Sequence, residues 1–188
     1  MSTATQPITV DEYERMIEDG TIGEDDLVEL LDGAVVPKMP KNPPHRVGTR
    51  KTAKALEKVT PAGWHVEKEE AIVISPRSKP EPDVAVIRAE LEYDSSRDAT
   101  AADCCLVVEV ADKSLATDRG KKLAVYARAG IPVYWIVNLR DLQVEIYSEA
   151  DPAAAGYRNH VDYRPGHDVP VIIEGQLAGR IAVADLLP

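Results

Sequence analysis

The run Leu106-Val107-Val108-Glu109-Val110 constrains this chain most. Its length and apolar composition read as a strand buried on both faces, and Glu109 interrupts it. A carboxylate is costly to bury unless it is paired or bound to a metal. A second acid has a related setting. Asp83 follows Glu81-Pro82 and opens Val84-Ala85-Val86-Ile87, another apolar strand. Two such carboxylates on neighbouring strands can hold one divalent cation. If the strands pair in parallel, the alignment of their ends depends on register, which the sequence does not supply.

The 188 residues suit one domain, 1–188, with enough length to bury a core. Hydrophobic residues make up 44% and charged residues 29%, which fits a globular chain rather than a disordered one. No apolar run approaches the ~18 residues of a membrane span. The first residues lack the basic start and apolar core of a signal peptide. The only cysteines, Cys104 and Cys105, are adjacent in a predicted strand and point to opposite faces. They lack spaced partners for a zinc site and read as structural, consistent with a reducing cytoplasm.

The net charge of −10 opposes a generic nucleic-acid binder. Its distribution softens that objection. Residues 11–32 hold ten acids and one base, a net of −9, whereas residues 38–58 hold seven Lys/Arg and one Glu, a net of +6. That asymmetry suits either a local phosphate-binding patch or a partner surface.

Along the chain, Thr9 with Glu12 forms a capping-box signature for a helix running to about Gly20. Residues 24–31 suit a short helix or an extended segment, and Asp32-Gly33 a hairpin turn. Pro37, Pro40, Pro43 and Pro44 predict a stiff loop. A helix is expected from His45 to about Val59, with Arg46, Arg50, Lys54 and Lys58 forming one basic stripe. The stripe suits phosphate contacts or simply the wet face of a helix. Strands are expected near 64–67, 71–74, 83–87, 105–110, 133–137, 142–147 and 169–173, with 151–159 as loop. Ser114 or Thr117 caps a helix ending near Gly130. The order predicts an α/β or α+β domain.

On that last helix Asp118, Lys122 and Tyr126 recur every four residues on one face. Asp118 and Lys122 suit a surface ion pair. Beside a two-carboxylate site, the Lys122 ammonium can instead stabilise phosphate charge and orient or deprotonate the attacking water. Hydrolysis of a phosphodiester needs a cation such as Mg²⁺ or Mn²⁺. One or two carboxylates, with an oxygen such as the Val110 carbonyl, suffice to hold it. His45 suits contact with phosphate or water, or a capping role. Trp64, Tyr134 and Trp135 suit core or interface packing.

Four segments then carry a family resemblance: Pro80-Glu81-Pro82-Asp83-Val84-Ala85-Val86-Ile87, Leu106 through Ser114, Asp118-Arg119-Gly120-Lys121-Lys122, and Tyr126 through Val137. With Glu29-Leu30-Leu31-Asp32-Gly33 and His45, they resemble the Uma2 family of restriction-endonuclease-like proteins, within the PD-(D/E)XK nuclease superfamily. The resemblance spans roughly residues 9–150. It implies a restriction-endonuclease-like core, a mixed central sheet flanked by helices, acting on DNA with Mg²⁺ or Mn²⁺. Asp83 and Glu109 would bind metal, and Glu29 would assist from an N-terminal helix. The superfamily's lysine stands two residues after the second acid, where this chain has Ala111; the Uma2 pattern moves it to the following helix, matched by Lys122. Lys121 is expected to point elsewhere. Ala34 stands where the family often has Glu.

The expectation is a metal-dependent DNA endonuclease with catalytic residues Glu29, Asp83, Glu109 and Lys122, supported by His45, Asp118 and Tyr126. Cleavage of both strands suggests a homodimer, through Tyr134-Trp135 or the C-terminal strands. The alternative is a catalytically inactive binding or regulatory module of the same fold. A carboxylate-pair glycosidase gives Lys122 no role.

Overall fold

A computed structural model describes residues 6–23, 25–91 and 96–188. Helix α1, Val10–Glu18, starts at Thr9, whose hydroxyl and backbone exchange bonds with Glu12 as the capping box requires. Strands β1, Val28–Leu31, and β2, Ala34–Pro37, form a hairpin around Asp32 and Gly33, both with positive φ. Gly33 is also needed for space: a Cβ there would lie 2.5 Å from Pro7 Cβ. Residues 24–31 thus contain a strand where the sequence left helix or extended chain open. Glu29 sits on that strand, not on the N-terminal helix that the family resemblance suggested.

Helix α2 spans Pro43–Glu57, with Asn42 as its N-cap. Pro43 and Pro44 belong to the helix rather than to the preceding loop, because the first helical positions need no backbone N–H donor. Strands β3 (Trp64–Glu67), β4 (Ile72–Val73), β5 (Val84–Arg88), β6 (Ala99–Thr100) and β7 (Cys104–Ala111) follow. Then come α3 (Leu115–Thr117), a π turn (Asp118–Lys122) and α4 (Leu123–Arg128) in one continuous helical path. Gly130, at φ +76°, ends it. Strands β8 (Val133–Asn138), β9 (Gln143–Asp151), β10 (Gly156–Tyr163), β11 (Asp168–Ile173) and β12 (Gln176–Ala182) precede α5 (Val183–Leu186).

Six strands make the central sheet in the order β10-β9-β8-β7-β5-β3. Only β7 and β8, the strands joined by the α3–α4 path, are parallel; the other neighbours are antiparallel. The 83–87 and 105–110 strands, whose direction the sequence left open, therefore pair antiparallel. Residues 156–159, expected as loop, open β10. Its alternation is weak because it is an edge strand, exposed along most of its length. The β11–β12 hairpin adds a strand the sequence reading missed.

Side-chain alternation splits the core in two. Val84, Val86, Val108, Val110 and Trp135 pack with α2, α5 and the β11–β12 hairpin. Ala85, Val107, Ala111, Tyr134 and Ile136 pack with Val125 and Tyr126 of α4 on the other face. Cys105 and Cys104 divide between these clusters, as expected of neighbours in a strand. Both are unpaired and buried, and burial pushes each thiol up to about 12, so neither is a reactive thiolate. Tyr134 and Trp135 are fully buried within the chain, which removes them as a dimer interface. Among the described residues, no helix is long and apolar enough to cross a membrane.

Candidate active site

The antiparallel register pairs Val84 with Val108, and continuing it by one step sets Asp83 opposite Glu109 on the α4 face of the sheet. Asp83 lies just before β5, where the ladder ends. Its Oδ2 takes the place of a ladder acceptor, receiving the Val110 N–H at 2.8 Å. His45 Nε2 approaches the same oxygen at 3.1 Å, whereas Oδ1 has Lys41 Nζ at 3.8 Å. His45 gets there because α2 packs closely on β7. A Cβ on Gly48, one turn along, would lie 2.9 Å from Val110 Cγ1. The His45 N–H is itself held by Asn42 Oδ1, which fixes the first turn.

Glu29 arrives from the β1–β2 hairpin. Lys79 N–H bonds Leu30 O, Gly33 N–H bonds Arg77 O and Glu81 N–H bonds Glu29 Oε2 at 3.3 Å, so the hairpin docks along the segment leading to Asp83. Lys122 lies between the two glutamates, its Nζ 2.9 Å from Glu109 Oε1 and 3.1 Å from Glu29 Oε1. Tyr126 Oη donates to the same Glu109 oxygen at 2.7 Å. Burial drives the Glu109 carboxyl well above the usual range, and Lys122 opposes that shift only in part. Burial alone disfavours the Lys122 ammonium, but Glu109, Glu29 and Asp118 outweigh it and hold its pKa above the ordinary lysine value. Lys122 is thus a fixed cation.

The expected surface pair of Asp118 with Lys122 is not what forms. Both residues are buried, and the ammonium's close partners are Glu29 and Glu109. Asp118 is 1% exposed. Its Oδ2 is buried without a hydrogen-bond partner among the described residues. Burial, with Asp83 and Glu29 adding to it against Lys122 and Ser114, raises its carboxyl to about 6. The π turn closes i→i+5 rather than i→i+4, a form that recurs at functional sites. Leu123 N–H bonds back to Asp118 O, and buried Tyr134 Oη donates to that carbonyl at 3.1 Å. Arg119, in the same turn, makes two bonds to buried Glu145, at 2.7 and 2.9 Å. These contacts fix the turn from β8 and β9.

Glu29, Asp83, Glu109 and Asp118 line one cleft of about 560 Å³. Lys38, Lys41, Lys113 and Lys121 also line it, so carboxylates on its floor meet ammonium groups around them. Lys121 therefore reaches the cleft after all, half-buried; the π turn separates successive side chains by a smaller angle than an α-helix does. The stripe Arg46, Arg50, Lys54 and Lys58 is exposed on α2 and forms no part of the lining. These lining lysines were missed because their positions in loops and at helix ends give no periodic signal.

The donor set suits a hard divalent cation. It consists of carboxylate oxygens, as Mg²⁺ and Mn²⁺ prefer. Glu29, Asp83, Glu109 and Asp118 are all buried around one buried lysine, an excess of negative charge. A second cluster, Glu145, His160 and Asp162, also brings three potential ligand atoms within 4.8 Å of one another. There Glu145 already accepts bonds from Arg119, Asn138 and Tyr147, and His160 pairs with Asp162 at 2.8 Å, so the group closes on itself.

The sequence matches the family described as "Uma2: Putative restriction endonuclease" over residues 10–178. The chain belongs to the Uma2 family. It superposes with a TM-score of 0.69 on the crystal structure of "a putative nuclease belonging to DUF820" from Anabaena variabilis ATCC 29413. The two are 14% identical, and the match covers 96% of this chain and 97% of that one, which shows a shared fold. No curated protein matches the chain.

Within the Uma2 fold, the absent strand lysine has a spatial answer. Ala111 lies two residues beyond Glu109 on the same sheet face, packed in the core cluster below α4. The ammonium reaches Glu109 from the helix instead, through Lys122. Ala34, at the start of β2, is exposed.

Proposed function

We propose that this Uma2 protein, taken as one domain over residues 1–188, is a Mg²⁺- or Mn²⁺-dependent endonuclease that hydrolyses DNA phosphodiester bonds. The observation that carries this reading is the antiparallel register that faces Asp83 with Glu109, with Lys122 held between Glu109 and Glu29. Asp83 and Glu109, with the Val110 carbonyl, would hold the cation. When bound, it supplies electrophilic stabilisation of the phosphoryl oxygens. Lys122 contributes a permanent positive charge beside the reacting phosphate. Glu29 and Tyr126 fix that ammonium and Glu109, and His45 fixes Asp83. Lys38, Lys41, Lys113 and Lys121 draw the DNA backbone into an otherwise acidic molecule, and the stripe from Arg46 to Lys58 extends the contact along α2.

Supercoiled plasmid incubated with Mg²⁺ or Mn²⁺ is expected to be nicked or linearised by the wild type and left intact by Asp83→Ala. Cleavage that persists in the mutant, or that ignores chelation by EDTA, would remove the assignment. Plasmid binding with no cleavage under any divalent ion would instead favour the inactive module, the reading to which the −10 charge lends support.

Calorimetric titration with Mn²⁺ is expected to show a site that Glu109→Ala abolishes; equal binding by both proteins would reject the ligand assignment. We also propose a homodimer and a cytoplasmic location, the latter supported by the two unpaired cysteines. With Tyr134 and Trp135 internal, the C-terminal strands are the remaining candidate interface, and sedimentation showing only monomer at micromolar concentration would count against the dimer.

A further inference from the structure

We propose that Asp118 is the general base of this site, its Oδ2 accepting the proton of the attacking water. The assignment rests on the nuclease reading above.

Three observations carry it. Asp118 lines the same cleft as Asp83, Glu109 and Lys122. Its Oδ2 is buried and unpartnered among the described residues, although buried polar atoms are nearly always bonded. An unpaired acceptor on a residue that lines a reactive cleft calls for a donor, and water is the donor that hydrolysis requires. The third observation is that the turn is held from outside. Tyr134 binds the Asp118 carbonyl and Glu145 binds Arg119, so the carboxylate is fixed without using its own Oδ2.

Glu109, Asp83 and Glu29 each have at least one oxygen already engaged. Glu109 is occupied by Lys122 and Tyr126, Asp83 by Val110 N–H and His45, and Glu29 by Lys122 and Glu81 N–H. The charged and titratable groups acting on Asp118 are Lys122 in its own turn, Glu29 from β1, Asp83 before β5 and Glu109 from β7. Ser114 bonds it from the turn before. A carboxyl raised to about 6 is still ionised near neutrality and is a better base than an ordinary aspartate.

In the step, Oδ2 takes one proton from the water while the water oxygen bonds to phosphorus. The P–O bond to the departing sugar oxygen breaks, and that oxygen keeps the electron pair and takes a proton from solvent. Asp118 then releases its proton to solvent, leaving a phosphomonoester and a hydroxyl.

Asp118→Asn preserves the shape and removes the basicity. Single-turnover plasmid cleavage should fall roughly 10²–10⁴-fold, while Mn²⁺ affinity measured by calorimetry should stay within about threefold of wild type, because Asp118 is outside the proposed ligand set. Thermal unfolding of the metal-free protein supplies a readout independent of activity. A carboxyl whose folded pKa exceeds its unfolded value loses stability as pH rises through about 6. Asparagine cannot ionise, so the variant should melt several degrees above wild type at pH 8, and the gap should narrow as pH falls through about 6 and close only below the ordinary aspartate value of 3.8. Cleavage within tenfold of wild type overturns the assignment. Large loss of Mn²⁺ affinity makes Asp118 a ligand instead, and a lower melting temperature at pH 8, or failure to fold, makes it structural. A wild type that binds Mn²⁺ but cleaves no DNA overturns the nuclease reading and this base with it. That result is distinct from an active wild type matched by its Asp118→Asn variant.

Discussion

Lys122→Met is expected to abolish the proposed plasmid cleavage at saturating Mg²⁺ and to destabilise the metal-free protein by about 3–5 kcal/mol, the usual cost of breaking a buried ion pair from one side. A surface Asp118–Lys122 pair, which the sequence allowed, would make loss of Lys122 cost little stability. The geometry reverses that expectation. Glu29 and Glu109, both buried, share this one ammonium at 3.1 and 2.9 Å. Methionine fills the space but leaves two carboxylates without a cation. Burial already raises the Glu109 carboxyl, and the variant loses the ammonium that opposes that shift, so the defect should be largest at high pH and shrink as pH falls. A divalent cation bound to the folded state should restore part of the lost stability by mass action. Denaturant unfolding with and without Mn²⁺, beside plasmid cleavage, checks both halves. Retained cleavage together with unchanged stability would show Lys122 to be dispensable. Lys121 differs in kind. It lines the cleft with no buried carboxylate partner among the described residues, so Lys121→Ala should weaken DNA binding and reduce the salt slope by about one phosphate's worth, ~0.9.

Trp135→Ala lowers stability by about 3–5 kcal/mol, as expected for loss of a fully buried indole. At this chain length that corresponds to roughly 6–20 °C in Tm. Trp135 is 0% exposed and packs with Val108, Val137, Val169 and Leu186 beneath α2 and α5. An interface role predicts the opposite pattern, a weakened dimer with a stable protomer. Calorimetric melting and sedimentation of the same variant separate the two. A change in self-association with little change in melting would contradict the burial.

Local signals sufficed where chemistry is local. Thr9 and Glu12 cap α1 because both bonds close within four residues. Asp32-Gly33 turns the hairpin because these residues tolerate positive φ. The apolar runs marked β5, β7 and β8 because each is buried on both faces. Glu109 stood out for the same reason, since a carboxylate in such a run demands a partner. The ordered motifs also marked the family and hence the fold.

Edge and hairpin strands were less legible. Residues 156–159 of β10 were taken for loop because most side chains of this strand meet water and carry no apolar alternation. The strand bearing Glu29 was ambiguous because four residues are too few to fix a period. Lys121 was misjudged because an α-helical angle was assumed where the chain makes a π turn.

The sequence by itself determined which carboxylates are out of place, Asp83 and Glu109, and which helix supplies the lysine, because burial preference and side-chain periodicity are properties of short segments. Only the tertiary structure decided the antiparallel register that makes those acids face each other, the hairpin docking that brings Glu29 to Lys122, and the unpaired Oδ2 of Asp118. Those features join residues up to 93 positions apart, from Glu29 to Lys122 (122 − 29). Their alignment follows from how strands and helices pack in three dimensions, which no local pattern encodes.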